Sequence, residues 1–460
     1  MSLRSNPAQD AAVAVTRLGL GARPGELELA RSDPRGWLSA QITPVGADLP
    51  HAASGQPLPS AQEDYQAFLA SHAAEKAAGA DQDARKDARQ PLIDAIDGEV
   101  LARARLGATT SAPFRERWAL FWGNHFTVST AKGEELNATA AAFEREAVRP
   151  HVFGRFEDLL VASSRHPAML MYLDQQNSVG PNSPSGLKHP SAGLNENLGR
   201  EIMELHALGA DAGYSQADVT EFARALTGWS MGGGGGSVEQ QGLFLYKPQV
   251  HESGGRRVFG ANYAPGEEAQ ARMILADFAA SPHTSRHLAR KIATHFVADD
   301  PPTGLVARLD RAYRSSNGDL AVLAEALVAA PESWTPDALK LKTPYELLIS
   351  SYRAVGFVPA DARKEVFGPL GSLGQRPFFA PQPNGWPDVA ADWAAPDAVV
   401  RRIGWARSFA GGHAPADPVQ VAEAALGVRL SADTAAAIRR AESRPEALTL
   451  LLMSPEFQRR

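Results

Sequence analysis

Histidines and carboxylates gather in the middle of the sequence, and their spacing limits the chemistry that they could perform. His125 lies in the stretch FRERWALFWGNHF and ends a stripe in which aromatic residues recur at steps of three and four: Phe114, Trp118, Phe121 and Trp122. On a helix these side chains share one face, which turns toward the core, and burial disfavours a charged imidazole. His125 is therefore predicted to be a neutral metal ligand or base, and the alternative is a buried histidine satisfied by a backbone carbonyl or a carboxylate.

A second stretch, NENLGREIMELHALG, places carboxylates on a predicted helix. Glu196, Arg200 and Glu204 are spaced by four, the usual pattern of ion pairs on a helix surface. Glu201 projects toward the edge of the apolar stripe, so we expect it to be partly buried and to need an arginine, a histidine or a cation. Glu204 and His206 project to different sides, so one ion cannot bind both on an undistorted helix. The spacing is also not that of the HExxH zinc proteases.

The next predicted helix lies in YSQADVTEFARALTGW and begins at Ser215, which forms a capping box with Asp218. Asp218 and Glu221 follow one side of this helix. The preceding loop, residues 209–213, is short and predicts that the two helices are antiparallel neighbours. Inward-facing carboxylates on such a pair build metal sites in some bundles and salt-bridge networks in others, and the sequence leaves both interpretations open.

A hairpin is predicted where two stretches of strand-type residues, 243–250 and 256–260, flank the sequence HESGG. It would place His251 and Glu252 on an exposed turn. Residues of such turns are usually solvated, although loop residues on a rigid scaffold also form sites.

A series spaced by four follows on a later helix and comprises His283, His287, Lys291 and His295. The lysine repels cations, so we interpret the series as a solvated helix face rather than a metal ladder. The sequence contains no P-loop, no GxSxG and no GxGxxG after a strand, which leaves nucleotide-binding and α/β-hydrolase folds unsupported.

The elements that must position these residues are helical, because apolar residues recur at three and four through most of the chain. We predict an all-α, multi-helix globular protein with one small inserted β-hairpin. Three regions are expected: an N-terminal helical region with a long charged helix over 1–112, central helices and the hairpin over 113–262, and a C-terminal helical region over 263–460. Five glycines, 232–236, predict a flexible connection, and the proline-rich stretch 376–388 predicts a loop.

Composition excludes several classes of protein. The 460 residues include no cysteine, which rules out disulfides, thiolate nucleophiles and iron–sulfur clusters. The net charge of -6 provides no basic field for nucleic acid, and no apolar run is long enough for a membrane span. We recognise no signal peptide, so we expect a cytoplasmic location, with export by an unrecognised route left open.

Several stretches together resemble the bacterial family called domain of unknown function 1800, over about residues 10 to 460. They are RWALFWGNHFTVS, HPAMLMYLD, GLNENLGREIMELHALGADAGYSQADVTEFARALTGWS, HESGGRRVFG, SRHLARKIATHFVADDPP and GQRPFFAPQPNGWPD. The family has no assigned reaction. The resemblance implies a partner, since members are often encoded beside proteins that look like alkaline phosphatases and sulfatases. The family often has His-Asp-x-Gly where this chain has His251-Glu252-Ser253-Gly254, so a strict geometric role for residue 252 is not implied.

Together these features predict a polar cleft in residues 114–260 and leave the reaction unknown. The preferred hypothesis is a metal-dependent hydrolase or oxidoreductase with a divalent ion as cofactor. Its predicted metal ligands are His125, Glu201, Asp218 and Glu221. Its predicted general acid or base is Glu204 or His251. The alternative is a non-catalytic binding or assembly protein that acts with a partner encoded nearby.

Overall fold

The computed structural model describes residues 6–460, and helices dominate it from the first residues. Five helices form the N-terminal part: α1 (Pro7–Val13), α2 (Glu26–Arg31), α3 (Pro34–Ser39), α4 (Ala61–Ala78) and α5 (Gln82–Thr109). Ser60 caps α4 in a capping box with Glu63. Where one long charged helix was predicted, the structure has two, α4 and α5, which pack side by side.

Seven helices of the central part follow: α6 (Pro113–His125), α7 (Glu134–Phe143), α8 (Phe156–Arg165), α9 (Pro167–Tyr172), α10 (Pro184–Lys188), α11 (Asn197–Glu201) and α12 (Gln216–Leu226). Two of them continue into single turns of π-helix: α7 into Glu144–Val148, and α11 into Ile202–His206. Ser215 forms the predicted capping box with Asp218 at the start of α12. α11 and α12 pack against each other, so the two acidic stretches lie on neighbouring helices, as the short loop between them predicted.

The β-structure is small but differs from the predicted hairpin. β1 (Trp229–Met231) pairs antiparallel with β2 (Phe244–Tyr246), and β3 (Arg256–Val258) pairs antiparallel with β4 (Ala261–Tyr263). The predicted pairing of 243–250 with 256–260 was therefore wrong, whereas the all-α class is confirmed. Residues 6–460 contain two small two-stranded sheets where one small hairpin was predicted. Phe259 and Gly260 both have positive φ, the geometry of a tight two-residue hairpin turn, so β3 turns directly into β4.

Eleven described helices complete the chain: α13 (Glu267–Ala280), α14 (Pro282–Phe296), α15 (Thr303–Ser315), α16 (Leu320–Ala329), α17 (Pro344–Val355), α18 (Gly368–Leu373), α19 (Pro396–His413), α20 (Pro418–Leu426), α21 (Ala432–Arg440), α22 (Arg444–Met453) and α23 (Pro455–Gln458). Between α18 and α19 the chain runs through the predicted proline-rich loop. Across residues 6–460, none of the helices combines the length and the apolar character needed to cross a bilayer.

Two large hydrophobic cores meet along α6. Trp118 and Trp122 belong to the first core, whose buried residues come from the chain between Val13 and Trp334. Leu120, on the other side of the helix, packs against the second core, which is built mainly from α17 and the helices after it. α6 thus presents one face to each core, and the space beside it holds the cavity described next. The three-region division of the sequence stays a prediction.

Candidate functional site

A cavity of about 120 Å³ lies between α6, the start of α17 and the proline-rich loop. Leu120, Phe143, Phe378 and Trp386 supply apolar wall, and His295 of α14 lies in the same lining. An apolar space with a few polar groups at fixed positions is the usual form of a small-molecule site. The polar groups therefore decide what the cavity could bind.

His295 and Asp388 form a hydrogen-bonded pair at this cavity. The distance between His295 Nδ1 and an Asp388 carboxylate oxygen is 2.6 Å. Burial lowers the pKa of His295, against the opposing effect of Asp388. Burial would raise the pKa of Asp388, but His295 and two lysines nearby hold it below its usual range. An ionised carboxylate can only accept, so Nδ1 carries the proton and the lone pair is on Nε2. His295 Nε2 has no hydrogen-bond partner within residues 6–460.

Asp388 is held in place by its own neighbours. The ammonium group of Lys340 donates to the backbone carbonyl of Asp388 and to the carboxylate of Asp299. The second oxygen of Asp299 accepts the backbone N–H of Ala390 at 2.8 Å. Since Lys340 is fully buried, this arrangement fixes the chain on the far side of Asp388 and aims its carboxylate at His295.

Three hydrogen bonds fasten the proline-rich loop to the end of α6 and the residues just after it. The Asn124 side chain donates to the Trp386 carbonyl at 2.9 Å and accepts its N–H at 2.8 Å. Ser129 Oγ donates to the Ala380 carbonyl at 2.6 Å. Gly385 has φ +79°, and a Cβ there would lie 2.4 Å from the Asn124 carbonyl oxygen. The close approach therefore requires glycine, and the loop closes one side of the cavity.

A chain of buried charges forms another wall. Glu144 accepts hydrogen bonds from Arg103 Nε at 2.9 Å and from Arg149 Nη2 at 2.8 Å. Arg149 also binds both carboxylate oxygens of Glu116 at 2.8 Å. Burial by itself would raise the pKa of Glu144, but the two arginines lower it to about 2. These groups neutralise one another, so they position the wall rather than supply a free charge.

A second buried network ties His295 to α17. Glu346 accepts from Arg117 and, at 2.9 to 3.0 Å, from Arg460. Arg460 Nη1 donates to the His295 carbonyl at 2.9 Å. The backbone as well as the ring of His295 is thereby fixed.

His125 occupies a different environment. It is buried, and its Nε2 lies 3.0 Å from the His206 carbonyl oxygen. Burial, with Lys291 and two histidines, lowers the pKa of His125 well below its ordinary value, so the ring is neutral. The aromatic face predicted for α6 is confirmed. The Nε2 contact matches the predicted bond to a backbone carbonyl, whereas Nδ1 has no hydrogen-bond partner within residues 6–460.

The series on α14 is not a solvated face, and that prediction was wrong. His295 is buried, and His287 Nε2 lies 3.0 Å from the Leu205 carbonyl. Burial and Lys291 lower the pKa of His287 to about 4. The reason is that α14 packs on both sides: the rings of Phe121 and His295 lie 5.2 Å apart, while His287 contacts the end of the π-helical turn.

Glu201 and Glu204 lie together at the protein surface. Both are half-buried, which confirms the expected partial burial of Glu201. Burial, together with Glu204, raises the pKa of Glu201. Burial and then the nearby Glu201 raise the pKa of Tyr172 to about 12. Neither carboxylate has an ion-pair partner in residues 6–460, and Glu196 alone forms the predicted pair with Arg200, at 3.0 Å.

The carboxylates of α12 make structural contacts. Asp218 accepts from Ser215 and, at 2.7 Å, from the N–H of Phe259. Glu221 binds Arg224 at 2.5 Å. Asp218 thereby anchors the turn of the β3–β4 hairpin, and Glu221 belongs to a salt-bridge network.

His251 and Glu252 are buried, so their expected exposure on a turn was wrong. His251 Nδ1 lies 2.7 Å from the Thr227 carbonyl, and burial lowers the pKa of His251. Glu252 accepts from the Asn182 N–H at 3.2 Å and side chain at 3.1 Å. The stretch crosses the end of α12 instead of forming a hairpin tip, because its flanking strands pair elsewhere.

The predicted site residues therefore lie in separate environments. Within residues 6–460, no group of three or more histidine, aspartate or glutamate side chains could hold a metal ion. Ligation by His125, Glu201, Asp218 and Glu221, and acid–base roles for Glu204 and His251, stay predictions without a shared coordination geometry.

Sequence reasoning missed the His295–Asp388 pair. Both residues lie in stretches that carry the family resemblance, but 93 residues separate them, and no spacing rule connects positions so far apart. The sequence offered only a weaker signal for this pair. His295 is the last member of the series spaced by four, and Asp388 is the acid that ends the stretch GQRPFFAPQPNGWPD.

Comparison with known proteins agrees with the resemblance of these stretches. Among curated proteins and among solved structures, nothing matches the chain. A family model described as "Protein of unknown function (DUF1800)" matches residues 13–459, which include α6, α14 and the proline-rich loop. The chain therefore belongs to this family, the DUF1800 proteins of unknown function.

Proposed function

We propose that the protein is an enzyme that binds a small organic molecule in the cavity beside α6, with His295 as its general base. The observation that carries the proposal is the His295–Asp388 pair in the lining of the cavity, with Nδ1 of the ring fixed by Asp388 at 2.6 Å and Nε2 without a hydrogen-bond partner in residues 6–460. A buried polar atom without a partner costs stability, which is tolerated where a ligand supplies the missing bond.

The chemistry follows from the pair. His295 is neutral near pH 7 because burial lowers its pKa, so Nε2 can take a proton from a hydroxyl group, a water molecule or an acidic carbon. The resulting imidazolium would lie beside the Asp388 carboxylate, which compensates its charge in a site of low dielectric. Lys340 and Asn124 act through the backbone around Asp388 and are positioning residues.

This proposal places the base at His295 rather than at Glu204 or His251. A divalent metal ion, a phosphatase- or sulfatase-like partner and a cytoplasmic location were predicted from the sequence alone. The partner and the location remain part of the hypothesis and require pull-down from source cells and cell fractionation. The proposed role of His295 does not use the metal ion, for which residues 6–460 hold no suitable ligand group, and metal analysis tests that separately. The non-catalytic alternative predicts a stable partner and no turnover.

The proposal is tested with isotope-labelled histidine NMR and with turnover of small molecules. We expect the His295 ring to be the Nδ1–H tautomer with a pKa below 6.5, the ordinary value. Incubation of the wild-type protein with a metabolite extract should change at least one compound by mass spectrometry. His295→Gln and Asp388→Asn should abolish that change, whereas substitution of the exposed His189 should not. An Nε2–H tautomer, or turnover that persists in His295→Gln, would contradict the proposal.

A further inference from the structure

The cavity at His295 is the first of three neighbouring cavities. Arg376, Pro377 and Phe378 line both this cavity and a second one of about 180 Å³. Ile93 and Ile96 are shared between the second cavity and a third of about 160 Å³. The series therefore runs from His295, past the start of the proline-rich loop, to the groove between α4 and α5.

The lining of the two outer cavities includes an apolar row on α5. Leu92, Ile93, Ile96 and Val100 recur at helical spacing, and the first three remain half-buried. Apolar side chains in a groove gain free energy when a ligand removes them from water. Between residues 89 and 100 the helix advances about 16 Å, so an occupant must be elongated.

One cation lies at the junction of the first two cavities. Arg376 is exposed, stacks against the ring of Phe379 at 4.8 Å, and has no carboxylate partner in residues 6–460. The other arginines of the outer cavities are paired: Arg363 binds Asp97 at 2.7 Å, and Arg89 binds Glu75 at 2.7 Å. A free guanidinium beside an apolar groove favours a carboxylate or a phosphate group.

From this arrangement we infer that the ligand is an elongated anionic amphiphile. Its apolar chain lies along α5, its acidic group binds Arg376, and its remaining end reaches the cavity of His295. The inference rests on the proposed function for the last of these three contacts, because only then does the bound molecule meet the base. The other two contacts, of the ligand's apolar chain with α5 and of its acidic group with Arg376, do not depend on the proposed function.

The test measures binding of dodecanoate, octanoate, butanoate and uncharged dodecanol to the full chain by calorimetry. Affinity should rise with chain length, by up to about fourfold for each methylene group that becomes buried. Dodecanoate should bind at least about tenfold more tightly than dodecanol, and Arg376→Gln should remove that difference. Ile96→Gln should weaken the binding of dodecanoate much more than that of butanoate.

Matched substitutions at exposed sites far from the groove serve as controls. Arg407→Gln and Val400→Gln, both on α19, change the same kinds of side chain in solvent and should leave every affinity unchanged. Equal binding of dodecanol and dodecanoate, or affinity independent of chain length, would overturn the inference. Tight binding of an extended peptide in place of the amphiphiles would also overturn it. The tautomer and titration of His295 are measured separately, so the proposed function can survive if the inference about the amphiphilic ligand fails.

Discussion

Replacement of Glu144 by glutamine removes the central charge from the buried network beside the cavity. Glu144 accepts from Arg103 and Arg149, and Glu144 and Arg103 line the cavity. In Glu144→Gln, Arg149 keeps Glu116, but Arg103 loses its carboxylate partner. The amide retains the shape and one acceptor, so the change isolates the charge.

The magnitude follows from the pKa of Glu144. Burial would raise it, but Arg103 and Arg149 lower it from 4.5 to about 2. Such a decrease corresponds to about 3 kcal/mol in favour of the charged, folded form. The loss of one partner from a buried ion pair typically costs ~3–5 kcal/mol. We therefore expect Glu144→Gln to lower the free energy of unfolding by about 3 kcal/mol near neutral pH.

The sign of the pH dependence provides a second check. Because the folded pKa is depressed, the stabilisation is fully present above the unfolded pKa of 4.5 and is lost as the pH falls toward about 2. The difference between wild type and Glu144→Gln should thus shrink to less than half near pH ~3. Glu28→Gln, at an exposed residue 3.5 Å from Arg31, is the control and should change stability by less than ~1 kcal/mol.

Urea unfolding, followed by tryptophan fluorescence and circular dichroism, measures these differences where the two probes coincide. Equal stability of Glu144→Gln and Glu28→Gln near neutral pH would refute a stabilising role for the Glu144 charge. A difference in the free energy of unfolding between wild type and Glu144→Gln that grows under acid conditions would refute it as well.

Three further outcomes are expected. Gly385→Ala should lower the melting temperature and speed amide exchange around Trp386, because its φ of +79° and the nearby Asn124 carbonyl disfavour a side chain; unchanged exchange would argue against a closed loop. Ser215→Ala should cost about 1 kcal/mol in urea unfolding through loss of the α12 cap, and an unaltered midpoint would show that the capping box contributes nothing. Protein purified without a tag should contain far less than one divalent ion per chain by elemental analysis, since residues 6–460 hold no suitable ligand group; stoichiometric metal would restore the predicted metal site.

Local features of this protein were predictable from sequence, because neighbours along the chain determine them. The aromatic face of α6 follows from helical spacing, and so does the partial burial of Glu201. The capping box of Ser215 and Asp218 depends on residues three apart. The backbone partner of His125 was one of two interpretations that burial alone allowed. In each case the deciding interaction lies within a few residues or follows from burial itself.

Strand pairing and the candidate site depended on the tertiary structure. Strand-type residues at 243–250 and 256–260 predicted one hairpin, but the turn at Phe259 and Gly260 directs β3 to β4 instead. The regular spacing on α14 indicated a solvated face, yet α14 is covered on both sides. Only the packing of α14 against the proline-rich loop places His295 beside Asp388. The sequence alone therefore determined the helices and their apolar faces, through periodic local interactions. The meeting of distant side chains at the cavity was decided by how those helices pack.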